Sequence, residues 1–266
     1  TPQFSVNRIG DSLVPFQNNI PFSSYERKEK HAYLNLAGIW KKERTECDHR
    51  LTLLKRTPDI IKRLQQESQE RFQENYDDSS WLDKEIPGME NSPPDRYQGC
   101  VWYRREVDIP KDHRGKFIKL VFEGANYFTD VWVNGQWVGA HEGGYTPFSF
   151  DITDYVEYGA SNTLALRIDN IPWLPMRIMT PEDEKVNDKN IVPYKTCDWW
   201  NAGGITRDIY LEVIPNLNIV RADVKTKIFD EQKAELLVDV VLYNHSPKKQ
   251  NCNLELTVFD TKIDES

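Results

Sequence analysis

The sequence lacks any uninterrupted apolar run longer than a few residues, although 39% of its 266 residues are hydrophobic. A bilayer-spanning helix needs about 20 predominantly apolar residues in succession, so a soluble chain with no membrane partner is expected. Clustered positive charge is missing too. The formal net charge is −8, and the Lys and Arg residues are scattered, which leaves no electrostatic footprint for nucleic acid. The four cysteines, Cys47, Cys100, Cys197 and Cys252, stand about fifty or more residues apart, without the close paired spacing of a zinc or redox motif. Buried free thiols are expected, with a disulfide as the alternative, and neither metal nor cofactor is foreseen. The chain opens Thr1-Pro2 with no Met and no apolar leader core. Either a leader was removed, with a periplasmic or secreted destination, or the chain was trimmed and is cytoplasmic.

Familiar catalytic constellations are also scarce. His141 has only Glu142 beside it and no Ser or Cys elbow nearby, so it reads as an ordinary hydrogen-bonded histidine. Gly203-Gly204 lacks the strand-to-helix context and the following Lys and Ser/Thr of a phosphate cradle.

What the sequence does carry is a β pattern centred on residues 117–151. Val131-Trp132-Val133 runs into Asn134-Gly135 and then Gln136-Trp137-Val138. Asn-Gly supplies the two positive-φ positions of a type I′ turn, which predicts a hairpin. Gly143-Gly144 permits a sharp bend, after which Phe148, Phe150 and Ile152 alternate with polar residues as in a half-buried strand. Val101, Tyr103, Val107 and Ile109 share one face of an earlier strand, and Leu164, Leu166 and Ile168 one face of a later one. The expected core holds Val101, Tyr103, Leu120, Phe122, Phe148, Phe150, Leu166 and Ile168. One helical turn, stopped by Gly159, is expected over 153–158.

Between 57 and 75 the period changes. Thr57 is placed to cap a helix with Pro58 at its first position, and Ile60, Ile61 and Leu64 form an apolar stripe on an amphipathic surface helix that frays toward Asn75. Residues 1–33 hold Pro2, Pro15 and Pro21 without periodicity and read as an extended arm. Residues 171–195, with four prolines and Glu182-Asp183-Glu184, are too long for an ordinary connection, which favours a functional loop delivering the chain to Asp198.

Val131-Trp132-Val133-Asn134-Gly135, Gly143-Gly144-Tyr145-Thr146-Pro147-Phe148, Asp151-Ile152-Thr153 and Gly203-Gly204-Ile205-Thr206-Arg207-Asp208 together resemble the sugar-binding domain of family two glycoside hydrolases. That family includes β-galactosidases, β-glucuronidases and β-mannosidases. Val101-Trp102-Tyr103-Arg104-Arg105-Glu106 and Asp198-Trp199-Trp200-Asn201 are most similar to its β-glucuronidase branch. The resemblance implies an all-β fold, with a jelly-roll-like, galactose-binding-domain-like sandwich over 34–215. The alternating segments 220–227, 234–243 and 254–259 then look like the first strands of an immunoglobulin-like sandwich, cut short within 217–266.

The resemblance also implies a role: the non-catalytic portion of a β-glycosidase whose paired glutamates belong to a barrel domain of the same polypeptide. No catalytic residue is assigned here. The expected partners are a β-linked glycoside and that barrel, with homo-oligomerisation left open. Asp198, six residues before Gly204, matches the position of an aspartate that reaches from this domain to sugar hydroxyls, and Trp199, Trp200 and Asn201 complete the expected substrate-binding set. Trp173 and Tyr194 are secondary aromatic candidates, whereas Trp81 reads as a core anchor rather than a sugar platform. In the β-glucuronidase pattern a third aromatic follows Asn201, but Ala202 stands there. A free-standing carbohydrate-binding or assembly module is the alternative class, because fold alone does not choose function.

Overall fold

The computed structural model describes residues 4–23, 31–92, 95, 97–171, 201–230 and 233–258. Its strands are β1 (Phe4–Ile9), β2 (Ser12–Gln17), β3 (Ile20–Pro21), β4 (Ala32–Asn35) and β5 (Gly38–Thr45), followed by helices α1 (His49–Leu53) and α2 (Pro58–Glu67). Next come β6 (Leu82–Ile86), β7 (Gly99–Ile109), β8 (Phe117–Phe122), β9 (Ala125–Asn126), β10 (Phe128–Val133), β11 (Gln136–Glu142) and β12 (Phe148–Asp151). The chain continues through β13 (Ala160–Asn170), β14 (Gly204–Ile205), β15 (Ile209–Ile214), β16 (Leu217–Asp230) and β17 (Lys233–Asn244).

Two antiparallel sheets make the sandwich. Six strands run in the order β11-β10-β13-β7-β5-β6, and four face them in the order β12-β8-β15-β4. All eight residues expected in the core are buried between them, joined by Leu36, Trp40, Val131, Val133, Ile209 and Leu211. Asn134 and Gly135 have φ of 48° and 72° and join Val133 to Gln136 across a two-residue turn, as the Asn-Gly signal predicted. One irregularity follows: Val131 pairs with Gly139 but Trp132 pairs with Trp137, so Val138 is an extra residue on β11. Gly139 must be glycine there, because a Cβ would stand 2.5 Å from the Phe150 ring.

The outer face of the six-stranded sheet is covered as well. Period-two alternation along β7 sends Trp102 and Arg104 away from the main core, yet both are buried. They lie under the segment 49–81, where Phe72, Trp81, Trp102, Trp132, Cys100 and Ala165 form a second apolar cluster. Trp81 is therefore a core anchor. The helix expected over 57–75 is shorter, ending at Glu67, after which Arg104 donates to the Arg71 and Gln73 carbonyls and fixes the non-helical continuation. Thr57 caps it through its Oγ1, 3.4 Å from the Ile60 amide.

Charged groups are buried on the same outer face. Arg56 forms two 2.7 Å bonds to the Asp130 carboxylate, and Arg167 reaches Glu67 at 3.0 Å and Thr52 at 2.9 Å. Paired and hydrogen-bonded, such ions tolerate burial, but losing one partner strands the other.

Several expectations need correction. Residues 4–21, expected as an extended arm, form the three-stranded antiparallel sheet β1-β2-β3, with Val14 and Phe16 packed on Val220 and Val241. The helical turn expected over 153–158 is limited to a turn at 153–155, where the Tyr155 amide donates to the Ile152 carbonyl at 3.0 Å. β16 and β17 pair as a long hairpin, but 254–258, expected as a third strand, take no strand conformation. Among the described residues no neighbouring strand offers them a ladder, which a strand needs to satisfy its backbone groups.

His141 also departs from expectation. It is 2% exposed and stacked on Phe148, ring centroids 4.0 Å apart, and neither ring nitrogen makes a hydrogen bond to a described residue. Burial lowers its pKa to about 4. Between pH 6.5 and 4 the unfolded chain takes up a proton that the folded ring refuses, so stability falls as pH drops through that window. The shift corresponds to about 3 kcal/mol once pH is below the folded value. Urea unfolding of wild type and His141→Phe at pH 7 and pH 4.5 should show the wild type losing about 2 kcal/mol more than the variant. Parallel losses would mean that the ring is protonated in place.

Candidate functional site

Four asparagines from four parts of the chain converge where residue 201 re-enters the sandwich. Asn91 follows β6, Asn126 ends β9, Asn170 ends β13, and Asn201 opens the approach to β14; all four are buried. Each amide presents a carbonyl and an NH2 group, so such side chains can tie irregular backbone to a sheet where ladder bonds are missing. Asn126 Nδ2 donates to Asn201 Oδ1 and to the Ala202 carbonyl, both at 2.8 Å. Asn201 Nδ2 donates to Asn170 Oδ1 at 2.9 Å. Asn91 Nδ2 donates to the Asn201 carbonyl at 2.9 Å, and its Oδ1 accepts the Gly203 amide at 2.9 Å. The result is a clamp on residues 201–203.

Glycines make room for it. A Cβ on Gly144 would stand 2.0 Å from Asn126 Oδ1, and one on Gly203 would stand 2.6 Å from Asn170 Nδ2. Gly204 has φ of 89° and would press a Cβ to 2.7 Å from the Tyr103 hydroxyl. The Gly143-Gly144 and Gly203-Gly204 pairs thus serve one construction from two directions. β9 and β14 pair directly, Gly204 opposite Asn126.

Beneath the clamp lies Glu90, 5% exposed, whose amide donates to the Gly203 carbonyl at 2.8 Å. Its Oε1 accepts Lys42 and Arg44 at 2.6 Å each, and its Oε2 accepts the Tyr103 hydroxyl at 3.3 Å. Burial, together with the Glu90 charge, raises the Tyr103 phenol well above its ordinary pKa, so it remains a neutral donor. With two cations and one phenol on its carboxylate, Glu90 is a structural centre rather than a free acid.

Of the expected substrate-binding set, Asn201 is the one that the structure describes. Both ends of its side-chain amide are engaged by Asn126 and Asn170, so it anchors the chain from within. Asp198, Trp199 and Trp200 lie outside the described residues, as do Trp173, Tyr194, Cys197 and the long proline-rich connection. Sequence reasoning passed over Asn91, Asn126 and Asn170. Asparagine is common in turns, and nothing in their spacing signals that they meet. A concavity of about 450 Å³ lined in part by Lys55, Trp137, Phe150 and Asp151 shares no residue with the clamp.

Residues 67–215 match the family described as "Glycosyl hydrolases family 2, sugar binding domain". The chain belongs to family 2 of the glycosyl hydrolases. It is 33% identical over 186 residues to a putative beta-glucuronidase of Formosa agariphila, covering 66% of this chain and 20% of that protein. It is 30% identical over 152 residues to a beta-galactosidase of Thermoanaerobacter pseudethanolicus, covering 54% of this chain and 19% of that one. The solved beta-glucuronidase of Bacteroides uniformis superposes with a TM-score of 0.56 at 26% identity, over 82% of this chain and 23% of its own. This family 2 chain thus spans about a fifth of the length of those curated relatives. All of the clamp asparagines fall inside the matched stretch of the family 2 domain.

Gly144→Ala should destabilise the protein by about 1–3 kcal/mol in urea unfolding, the cost of forcing a methyl group into a packed site. Gly115→Ala, at a glycine of φ 82° with open space around its Cβ position, tests backbone strain without a steric clash. A Gly144→Ala protein as stable as wild type would show that Asn126 is free to move and the clamp is loose.

Proposed function

We propose that this chain is the glycon-binding portion of a retaining β-glycosidase acting on β-glucuronides or β-galactosides, with its sugar-binding domain over 34–215 and the start of an immunoglobulin-like domain over 217–266. The observation that carries this reading is the asparagine clamp. It fixes Asn201, three residues after Asp198, against two strands and a loop of the sandwich. A carboxylate that is to hold two sugar hydroxyls must arrive at a defined place, because misplacement by about 1 Å costs a large part of the rate. The clamp supplies a fixed base for that arm. The named activities of the relatives agree with it.

In this reading Asp198 accepts hydrogen bonds from neighbouring hydroxyls of the glycon and holds the ring. It transfers no proton. Trp199 and Trp200 offer apolar faces to the sugar ring, and Asn201 acts as a positioning residue. Bond cleavage needs two carboxylates about 5–5.5 Å apart, one as acid/base and one as nucleophile. Those are assigned to a barrel domain of the whole protein, and the 266-residue chain is proposed to be inactive alone.

Nitrophenyl β-glucuronide and β-galactoside offered to this chain should show no turnover, and clear hydrolysis would overturn the assignment. In the whole protein, Asp198→Ala should lower kcat/KM by about 2–4 kcal/mol, the scale of a lost charged hydrogen-bond partner, with Tm nearly unchanged. Wild-type kinetics with a lowered Tm would make Asp198 a structural cap instead.

A further inference from the structure

On the outer face of the six-stranded sheet, away from the clamp, three potential metal ligands meet. Cys47 Sγ lies 3.4 Å from His49 Nδ1 and 3.4 Å from Asp169 Oδ2, and His49 Nδ1 lies 2.9 Å from the same carboxylate oxygen. Cys100 stands directly across the ladder from Asp169. We propose that Cys47, His49 and Asp169 bind a soft divalent cation of the zinc class, with water in the fourth position. This inference is independent of the sugar-binding reading and concerns a different face of the molecule.

The donor set is one sulfur, one imidazole and one carboxylate, which with water in a fourth position is a composition that four-coordinate zinc accepts and that magnesium or calcium does not favour. A tetrahedral ion with sulfur at about 2.3 Å and nitrogen or oxygen at about 2.0–2.2 Å holds its ligand atoms about 3.3–3.7 Å apart. The two contacts from Cys47 already have that length, and the His49–Asp169 contact has to open by about half an ångström.

The surroundings fit the same ion. Without a metal, Asp169 gathers donors: His49, the Cys47 thiol and the Thr52 hydroxyl all point at one fully buried carboxylate. With a metal, the thiol and imidazole protons leave and Thr52 remains as the outer bond that orients Asp169. Arg167 Nη2 in turn donates to Thr52 Oγ1 at 2.9 Å. Such outer partners fix the ligands of real metal sites. One thiolate and one carboxylate balance the charge of a divalent ion, with the imidazole neutral. Cys47 and His49 are only partly buried, so the ion has a way in, while Cys100 and Asp169 close the inner side.

The test is cobalt substitution of the reduced, metal-free 266-residue chain. One equivalent of Co²⁺ should give thiolate-to-cobalt charge-transfer absorption with the intense visible bands of a tetrahedral site, and Zn²⁺ should displace it and raise the Tm. Cys47→Ser and His49→Ala should each weaken cobalt binding at least about tenfold. Cys252→Ser, at an exposed thiol outside the cluster, should leave the spectrum unchanged. Should either ligand variant fail to fold, the wild-type titration decides alone. A folded, reduced wild type without the tetrahedral spectrum overturns the proposal, as does a spectrum that survives Cys47→Ser, or a Cys47–Cys100 disulfide with no metal uptake after its reduction.

Discussion

Eleven consecutive residue pairs join β7 to β13, from Gly99 opposite Asn170 to Ile109 opposite Ala160. Side chains alternate faces along a strand, so this one register decides which residues meet on each side of the larger sheet. On the inner side it lines up Val101, Tyr103, Leu166 and Ile168 with the opposing four-stranded sheet. On the outer side it sets Cys100 against Asp169 and Trp102 against Arg167. At its end it delivers Asn170 to the asparagine clamp. A slip of one residue would send Arg167 and Asp169 into the apolar core and dissolve both polar centres together.

The two faces are stabilised by different physics. Between the sheets the contacts are apolar and close-packed, with Phe122 and Phe148 stacked at 4.5 Å between ring centroids. Outside, burial under the segment 49–81 puts Arg56, Asp130, Arg167 and Asp169 out of water. Those charges persist there because each has a partner, and because α1 and the residues around it contribute carbonyl and hydroxyl groups. Arg56 illustrates the second point, with Nη1 on the Thr52 and Leu54 carbonyls at 2.7 and 2.6 Å while its other nitrogens hold Asp130. A network of that kind confers a unique docking geometry more readily than net stability.

The proposed function depends on rigidity delivered to one point. The clamp uses neutral amides, which accept and donate at once and cost little to bury when every group is paired. Glu90 underneath holds the glycine-rich stretch through its backbone amide, while its carboxylate is fixed by Lys42 and Arg44. Small residues are therefore placed where backbones and amides approach each other, while Phe122, Phe148 and Phe150 fill the core.

The sequence by itself determined the fold class, the hairpin and the sandwich core, since alternation of apolar residues and Asn-Gly chemistry are local signals that survive into the structure. It also marked the glycine pairs and the family, through motifs that lie in order along the chain. Only the tertiary structure decided that Trp102 and Arg104 face a second buried layer, because alternation tells sides apart without telling what covers them. Only the tertiary structure gathered Asn91, Asn126, Asn170 and Asn201, and brought Cys47 and His49 to Asp169. Those partners are separated by up to 122 positions in the chain. Their meeting is fixed by the pairing of β5, β7 and β13, a long-range choice that no spacing motif records.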